Sequence, residues 1–343
     1  MQKTYIIAEI GCNHNGNPDL AKKMVDEAYK CGVDAVKFQT FKASSLISKY
    51  APKAEYQKVT TGNTESQLEM TRKLELSQDN YLKLRDYAIS KGLDVFSTAF
   101  DMESIKFLEE NGQSVWKIPS GEITNLPFLE RIANIKCNNK KIILSTGMST
   151  IKEIKQALKI LDISNNDITI LHCNTEYPTQ DKDVNIRAMG DLRSNFGKYK
   201  IGFSDHSVGC VAAVLSVAYG CEVIEKHFTL DKNMPGPDHK ASATPEEMKL
   251  LCEYVRRAEL ILGSEIKVVT DSERKNKIVA RKSIVAKRDI KRGEEFTEEN
   301  ITCKRPGNGI SPMNWYKVLG TKAESNFKED ELIECSDFGW EEE

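Results

Sequence analysis

Apolar residues in the first three quarters of the chain fall into short β-branched runs, separated by stretches where they recur every three or four positions. The runs are TYIIAEIG (4–11), AVKFQT (35–40), DVFST (94–98), SVWKIPS (114–120), KIILST (141–146), ITILHCNT (168–175), YKIGFSDH (199–206) and EVIEKHF (222–228). Runs of this make-up predict strands, and the intervening pattern predicts amphipathic helices. Three of those helices close on Gly32, Gly92 and Gly112. Thr150 with Glu153, and Thr244 with Glu247, have the spacing of capping boxes, and Pro245 and Gly263 mark the start and stop of the last long helix. Eight strands alternating with helices over about 260 residues predict an α/β fold, a closed (β/α)8 TIM barrel. An open doubly wound sheet is the alternative.

Two segments depart from this rhythm. Residues 41 to 75 join the second strand to the next helical pattern and are too long for an ordinary turn, so they read either as a lid over the barrel mouth or as a surface insertion. After the barrel, the pattern divides into a barrel domain over 1–268, a polar linker over 269–283 and a small β-rich domain over 284–343 with short strands and glycine turns. A domain of about 60 residues is marginal by itself and is expected to pack on something.

Composition narrows the partners. With 49 basic and 51 acidic side chains the formal net charge is -2, so no global field recruits nucleic acid or anionic lipid. A small-molecule partner is expected. Nine cysteines form an odd set without a CxxC pair, which reads as buried reduced thiols rather than a disulfide frame or zinc knuckle. The N-terminal stretch lacks a signal-peptide pattern, and no run approaches the roughly 20 apolar residues that span a bilayer. The expectation is a soluble, cytoplasmic protein.

The chemistry of a TIM barrel collects at the C-terminal ends of its strands. There the chain carries Glu9, Lys37, Gln39, Thr98, Lys117, Ser120, Glu122, Ser145, Asn174, Ser204, Asp205, His206, Lys226 and His227. Lys37 and Lys117 interrupt apolar strands. A lysine facing the barrel interior carries a large desolvation cost unless an anion meets it, so two of them imply a polyanionic ligand, with Thr98, Ser120, Ser145 and Ser204 as neutral donors. The alternative places each lysine outward, paired with a helix carboxylate. His206 and His227 end adjacent strands and would leave most of an octahedral shell open, as Mn²⁺ or Mg²⁺ prefers; the alternative is two loop donors, with His14 and His239 as substitutes in either role. Glu9, Glu122 and Asp238 supply carboxylates for proton exchange or charge balance.

Taken together, AEIGCNHNG, AVKFQTF, WKIPSGE, LSTGM, NTEYPT, GFSDHS, EKHFTLD, PGPDH and KRPGNGISP resemble the bacterial N-acetylneuraminate (sialic acid) synthases, in order and along nearly the whole chain. The resemblance implies a TIM barrel followed by an antifreeze-like (SAF) domain, a domain-swapped homodimer, and condensation of phosphoenolpyruvate with N-acetylmannosamine, releasing phosphate by C–O cleavage. It implies Mn²⁺, Mg²⁺ or Co²⁺ on His206 and His227, and phosphoenolpyruvate on Lys37, Thr98, Lys117, Ser120, Ser145, Asn174 and Ser204, with Asn174 and Thr175 as rivals for one contact. It further implies sugar contacts from Glu9, Gln39, Tyr177, Asp238 and a partner copy's Arg305, with Glu122 transferring protons. A relative that takes a 6-deoxy-diacetamido sugar, a legionaminic or pseudaminic acid synthase, is the second reading of the substrate. A metal-dependent barrel hydrolase would need an HxH pair on the first strand, which AEIGCNHNG lacks. An ice-binding surface does not fit the charge of KRDIKRGEEFTEEN.

Overall fold

The computed structural model describes residues 3–62, 64–163 and 166–334, apart from the side chains of Tyr56 and Val59. The chain divides into two compact units, Met1–Gly263 and Ser264–Glu343.

All eight expected strands are present in the first unit: β1 (Tyr5–Gly11), β2 (Ala35–Thr40), β3 (Asp94–Ala99), β4 (Val115–Ile118), β5 (Lys141–Ser145), β6 (Asp167–His172), β7 (Lys200–Asp205) and β8 (Val223–His227). They pair in parallel in the order β3-β2-β1-β8-β7-β6-β5-β4. Pairing of β1 with β8 wraps the sheet round on itself, which excludes the doubly wound alternative. At the seam between β3 and β4 a side chain replaces a ladder rung. The Ser97 N–H donates to Gln113 Oε1 at 2.7 Å, and Gln113 Nε2 donates to the Ser97 carbonyl at 2.9 Å.

The helices start and stop where their end signals place them. Asn17 accepts from the Asp19 and Leu20 N–H groups to open helix Pro18–Cys31, which Gly32 closes at φ 81°, a conformation glycine adopts without steric cost. Both expected capping boxes are formed, at Thr150/Glu153 and Thr244/Glu247. The outward strand residues, among them Ile6, Phe38, Trp116, Ile170 and Phe203, are buried against these helices in the main core.

The inward residues form layers because strand side chains alternate with period two. Ile7, Ala35, Phe96, Ile143, Leu171 and Val223 plug the barrel with an apolar layer. Two residues further along the same strands stand Glu9, Lys37, Thr98, Ser145, Cys173 and Glu225, joined by Lys117 and Ser204 from β4 and β7. On β7 the lower layer is Gly202, where a Cβ would come within 2.5 Å of both Leu171 and the Val223 carbonyl oxygen. A side chain there would displace the strands on either side.

Residues 41 to 75 carry three short helices, Ala43–Leu46, Glu55–Thr61 and Gln67–Arg72. The segment is pinned at both ends: the Lys42 N–H donates to Asp101 Oδ2 at 2.9 Å and the Ala43 N–H to Glu75 Oε1 at 2.7 Å. Phe41, Leu46 and Leu74 pack with Cys12 and Phe100 of the strand-end loops as a satellite core. The insertion thus lies over the barrel mouth.

In the second unit β9 (Ser283–Ala286) and β10 (Ile301–Lys304) pair antiparallel, with Ile301 opposite Ala286. Ile284, Phe296, Ile301, Ile310, Phe327 and Ile333 belong to its own core. The segment read as a linker contains a ten-residue helix, Asp271–Ala280, capped by Thr270 and Glu273 and without a buried side chain. The eight described cysteines are free thiols, and Cys335 lies outside the described residues. Among the described residues no helix is long and apolar enough to cross a membrane.

Candidate active site

A cavity of about 550 Å³ opens at the C-terminal ends of the barrel strands beneath the insertion. Its floor is the polar layer of the barrel. Lys37 Nζ lies 2.7 Å from Glu9 Oε2, 3.1 Å from Thr98 Oγ1 and 3.6 Å from Glu225 Oε2. Lys117 Nζ donates to Glu225 Oε1 at 3.0 Å, and Ser204 Oγ donates to the same oxygen at 2.9 Å. Both lysines point inward and are buried, so the outward alternative does not hold for either.

Glu225 is the member that strand-end reasoning missed, although it shares the inward phase of His227 two residues on. It is the counter-ion of both lysines. Burial works against its charge, but Lys117 and Lys37 outweigh that penalty and hold its carboxyl well below the usual range. Glu9 fares differently: burial, only partly offset by Lys37, pushes it up to about 7. Lys37 is held above its usual value, with Glu225 and Glu9 overcoming its own burial. The floor therefore sets two lysines beside one firmly ionised carboxylate and one carboxyl whose charge burial disfavours. A polyanion can share the lysines with Glu225.

The histidines converge as expected. Their ring centroids are 5.4 Å apart, and Tyr177 lies 4.1 Å from the His206 ring and 5.5 Å from the His227 ring. His206 Nδ1 meets the Asn174 carbonyl at 2.5 Å, which leaves Nε2 on the Ser204 side, 3.4 Å from Oγ. His227 Nδ1 is buried without a hydrogen-bond partner and lies 3.9 Å from Asp238 Oδ2. Burial lowers His206 to about 4, and burial, with the His206 ring and the Lys37 ammonium group beside it, takes His227 well below its usual value. Both rings are neutral, the form that ligates a metal. The orphaned nitrogen and the neutral pair fit a divalent ion that completes its shell with water and ligand oxygens. Among the described residues no group of three or more His, Cys, Asp and Glu has metal-binding geometry. His14 and His239 stay outside the cavity: His14 Nδ1 accepts the Gly16 N–H and His239 Nδ1 pairs with the Thr229 hydroxyl.

The remaining expected residues divide between cavity and elsewhere. Gln39 lines the cavity and donates to Glu9 Oε1 at 2.9 Å. Ser120 and Ser145 line it too, Ser120 Oγ accepting the Gly147 N–H at 3.0 Å. Glu122 lines it half-buried, its Oε2 accepting from Asn125 at 2.6 Å. Asp238 lines it, pushed up to about 6 by burial, with the Cys12 thiol 3.6 Å from its Oδ2. Asn174 does not line it. Its Oδ1 accepts the Glu176 N–H at 2.7 Å in a local turn, and Thr175 is the residue turned to the cavity. Arg305 is exposed in the second unit, its Nε donating to the Ala280 carbonyl at 3.0 Å. Lys226 faces out of the barrel, where Asp205 meets it at 2.9 Å.

The model of the NeuB family matches residues 24–267, and that of the SAF domain matches residues 281–338. The chain belongs to the NeuB family. It is 52% identical to N,N'-diacetyllegionaminic acid synthase of Campylobacter jejuni over 97% of this chain and 99% of that protein. It is 42% identical to the synthase of the same name from Legionella pneumophila, over 94% and 91%. The crystal structure of an N-acetylneuraminic acid (sialic acid) synthetase from Leptospira borgpetersenii, 32% identical, superposes with a TM-score of 0.70 over 80% of this chain and 90% of that one. As a NeuB-family protein the chain is an enzyme of sialic-acid-type synthesis that uses phosphoenolpyruvate and an amino sugar. The two most similar synthases named here bear the name of a legionaminic acid synthase, the second of the two readings of the substrate given above.

Proposed function

We propose that the protein condenses phosphoenolpyruvate with a 6-deoxy-diacetamido hexose and water to give N,N'-diacetyllegionaminic acid and phosphate. The observation that carries this reading is the 52% identity, over nearly the full length of both chains, to a synthase of that name. N-acetylmannosamine, placed first by the motifs, becomes the second reading.

The floor explains how the first substrate is held. Lys37, Thr98, Lys117, Ser120, Ser145 and Ser204 bind the phosphate and carboxylate of phosphoenolpyruvate, Thr175 takes the contact that Asn174 cannot reach, and Glu225 keeps both lysines in place. Fixing the methylene carbon against the aldehyde removes the entropy cost of their meeting. His206 and His227 hold Mn²⁺, Mg²⁺ or Co²⁺, which supplies Lewis-acid polarisation of a carbonyl when bound. The methylene carbon then bonds to the aldehyde carbon, water adds at the carbon bearing the phosphate ester, and that C–O bond breaks to release phosphate. Glu122 moves the proton, and the two lysines stabilise the departing charge. Glu9, Gln39, Tyr177 and Asp238 hold the sugar, and Arg305 serves the site of a second copy through a domain-swapped homodimer.

The test is phosphate release from phosphoenolpyruvate in ¹⁸O-water, with the two sugars side by side, with and without divalent metal. Expected are metal-dependent release, a higher kcat/KM for the diacetamido sugar, and label in the sugar acid but not in phosphate. Faster turnover of N-acetylmannosamine would reject the assignment of substrate.

A further inference from the structure

The cavity has a polar floor and a roof of mixed character. On the insertion, Phe41, Leu46, Ile47, Met70 and Leu74 line the cavity beside Gln57, Gln67 and Thr71. Folding accounts for part of this, since Phe41, Leu46 and Leu74 form the satellite core with Cys12 and Phe100. Met70 is buried in the insertion itself, where the Thr61 hydroxyl points at its sulfur at 3.4 Å. Ile47 is different: it is half-buried, lines the cavity and belongs to none of the core clusters of the described residues. Packing of the protein alone does not explain an isoleucine there.

The orientation of the sugar follows from its chemistry. The aldehyde, C1, has to meet phosphoenolpyruvate on the floor, and the C2 acetamido group stays next to it. In the open-chain form C6 is the carbon farthest from C1, so it ends towards the mouth, under the insertion. The polar lining of the insertion is confined to Gln57, Gln67 and Thr71, so at Leu46 and Ile47 no side-chain donor or acceptor meets a C6 hydroxyl. A hydroxyl pressed against them loses water without gaining a partner, whereas a methyl group gains by leaving water.

We propose that Leu46, Ile47 and Met70 form a subsite that receives the C6 methyl group of the sugar and disfavours a C6 hydroxyl. This rests on the reading of the substrate given above. It assigns the insertion the task of selecting the sugar, in addition to covering the barrel mouth.

The experiment compares kcat/KM, at saturating phosphoenolpyruvate, for two diacetamido hexoses that differ only in carrying hydrogen or hydroxyl at C6. An apolar pocket rejects an added hydroxyl by about 100-fold, so the wild-type preference for the deoxy sugar is expected near that value. Ile47→Asn should reduce the preference at least tenfold, Ile47→Val should retain it, and the KM for phosphoenolpyruvate should stay the same in both. A wild-type ratio below threefold overturns the subsite without any variant, which covers the case of a misfolded Ile47→Asn. A ratio unmoved in a folded Ile47→Asn overturns it as well. If wild type instead prefers N-acetylmannosamine to both diacetamido sugars, the reading of the substrate is what fails.

Discussion

The barrel contains two buried charge clusters, one on each side of its wall, and they are built to opposite ends. On the outer face Asp205 and Lys226 are fully enclosed, and every strong contact is internal. Asp205 Oδ2 meets Lys226 at 2.9 Å, its Oδ1 accepts the Ser207 N–H at 2.9 Å and the Ser207 hydroxyl at 2.6 Å, and Lys226 also donates to the Ser207 carbonyl at 2.5 Å. On the inner face two lysines share Glu225, Glu9 Oε2 and Glu225 Oε2 lie 2.7 and 3.6 Å from the Lys37 ammonium group, and His227 Nδ1 is buried without a hydrogen-bond partner. The outer cluster is closed and ties β7 to β8. The inner one faces a cavity and has capacity left for a ligand. Sequence neighbours are split between them: Asp205 lies between Ser204 and His206, and Lys226 between Glu225 and His227. Strand alternation sends each to its own side.

The sharpest way to break this contrast is to neutralise an inner charge. Lys117→Met keeps the stem and removes the ammonium group, and kcat/KM for phosphoenolpyruvate should fall by about a hundred- to a thousandfold, as when one transition-state donor is lost. A loss below tenfold in steady-state kinetics would place Lys117 outside the chemistry.

Next comes the outer pair, whose effect should appear in stability. Asp205→Asn strands Lys226 and should cost about 3–5 kcal/mol in denaturant unfolding, while the KM for phosphoenolpyruvate in the surviving fold moves little. Replacing both partners, Asp205→Leu with Lys226→Met, should return most of that stability, because no charge is left buried alone. A double variant as unstable as the single one would show that the pair does more than balance itself.

The smallest effect is expected from a half-buried charge in the second unit. Glu294 is held down to about 2 by the Arg288 guanidinium and the Lys291 N–H. Its folded pKa is depressed, so its contribution is present above the ordinary carboxylate value and is lost as pH falls towards 2. Glu294→Gln should lower Tm only slightly at pH 7, and the difference from wild type should narrow from pH 5 to pH 3. A difference that grows on acidification would contradict the assigned contact.

Much of the fold was legible along the chain because its signals are local. The eight runs, the caps at Thr150 and Thr244 and the stop at Gly32 each depend on neighbours a few residues away. The direction of Lys37 and Lys117 stayed open between inward and outward, because alternation fixes a side only once a neighbour's side is known, and burial of both in the barrel decided it. Asn174 and Thr175 were harder, since the alternation ends where β6 gives way to a turn, and there an Asn side chain takes a backbone N–H instead of the cavity.

By itself, then, the sequence determined the number of strands, their alternation with helices and the polar residues near the strand ends, because periodicity is a property of adjacent residues. Only the closed barrel decided which of those side chains share a level. Lys117 and Glu225 are 108 positions apart, yet they meet at 3.0 Å because wrapping of the sheet brings β4 and β8 to face each other across the interior. The role of the insertion was decided in the same way. In the sequence it reads as either a lid or a surface insertion until the fold places Ile47 over a cavity, where the environment of a side chain depends on what stands opposite and not on what precedes it.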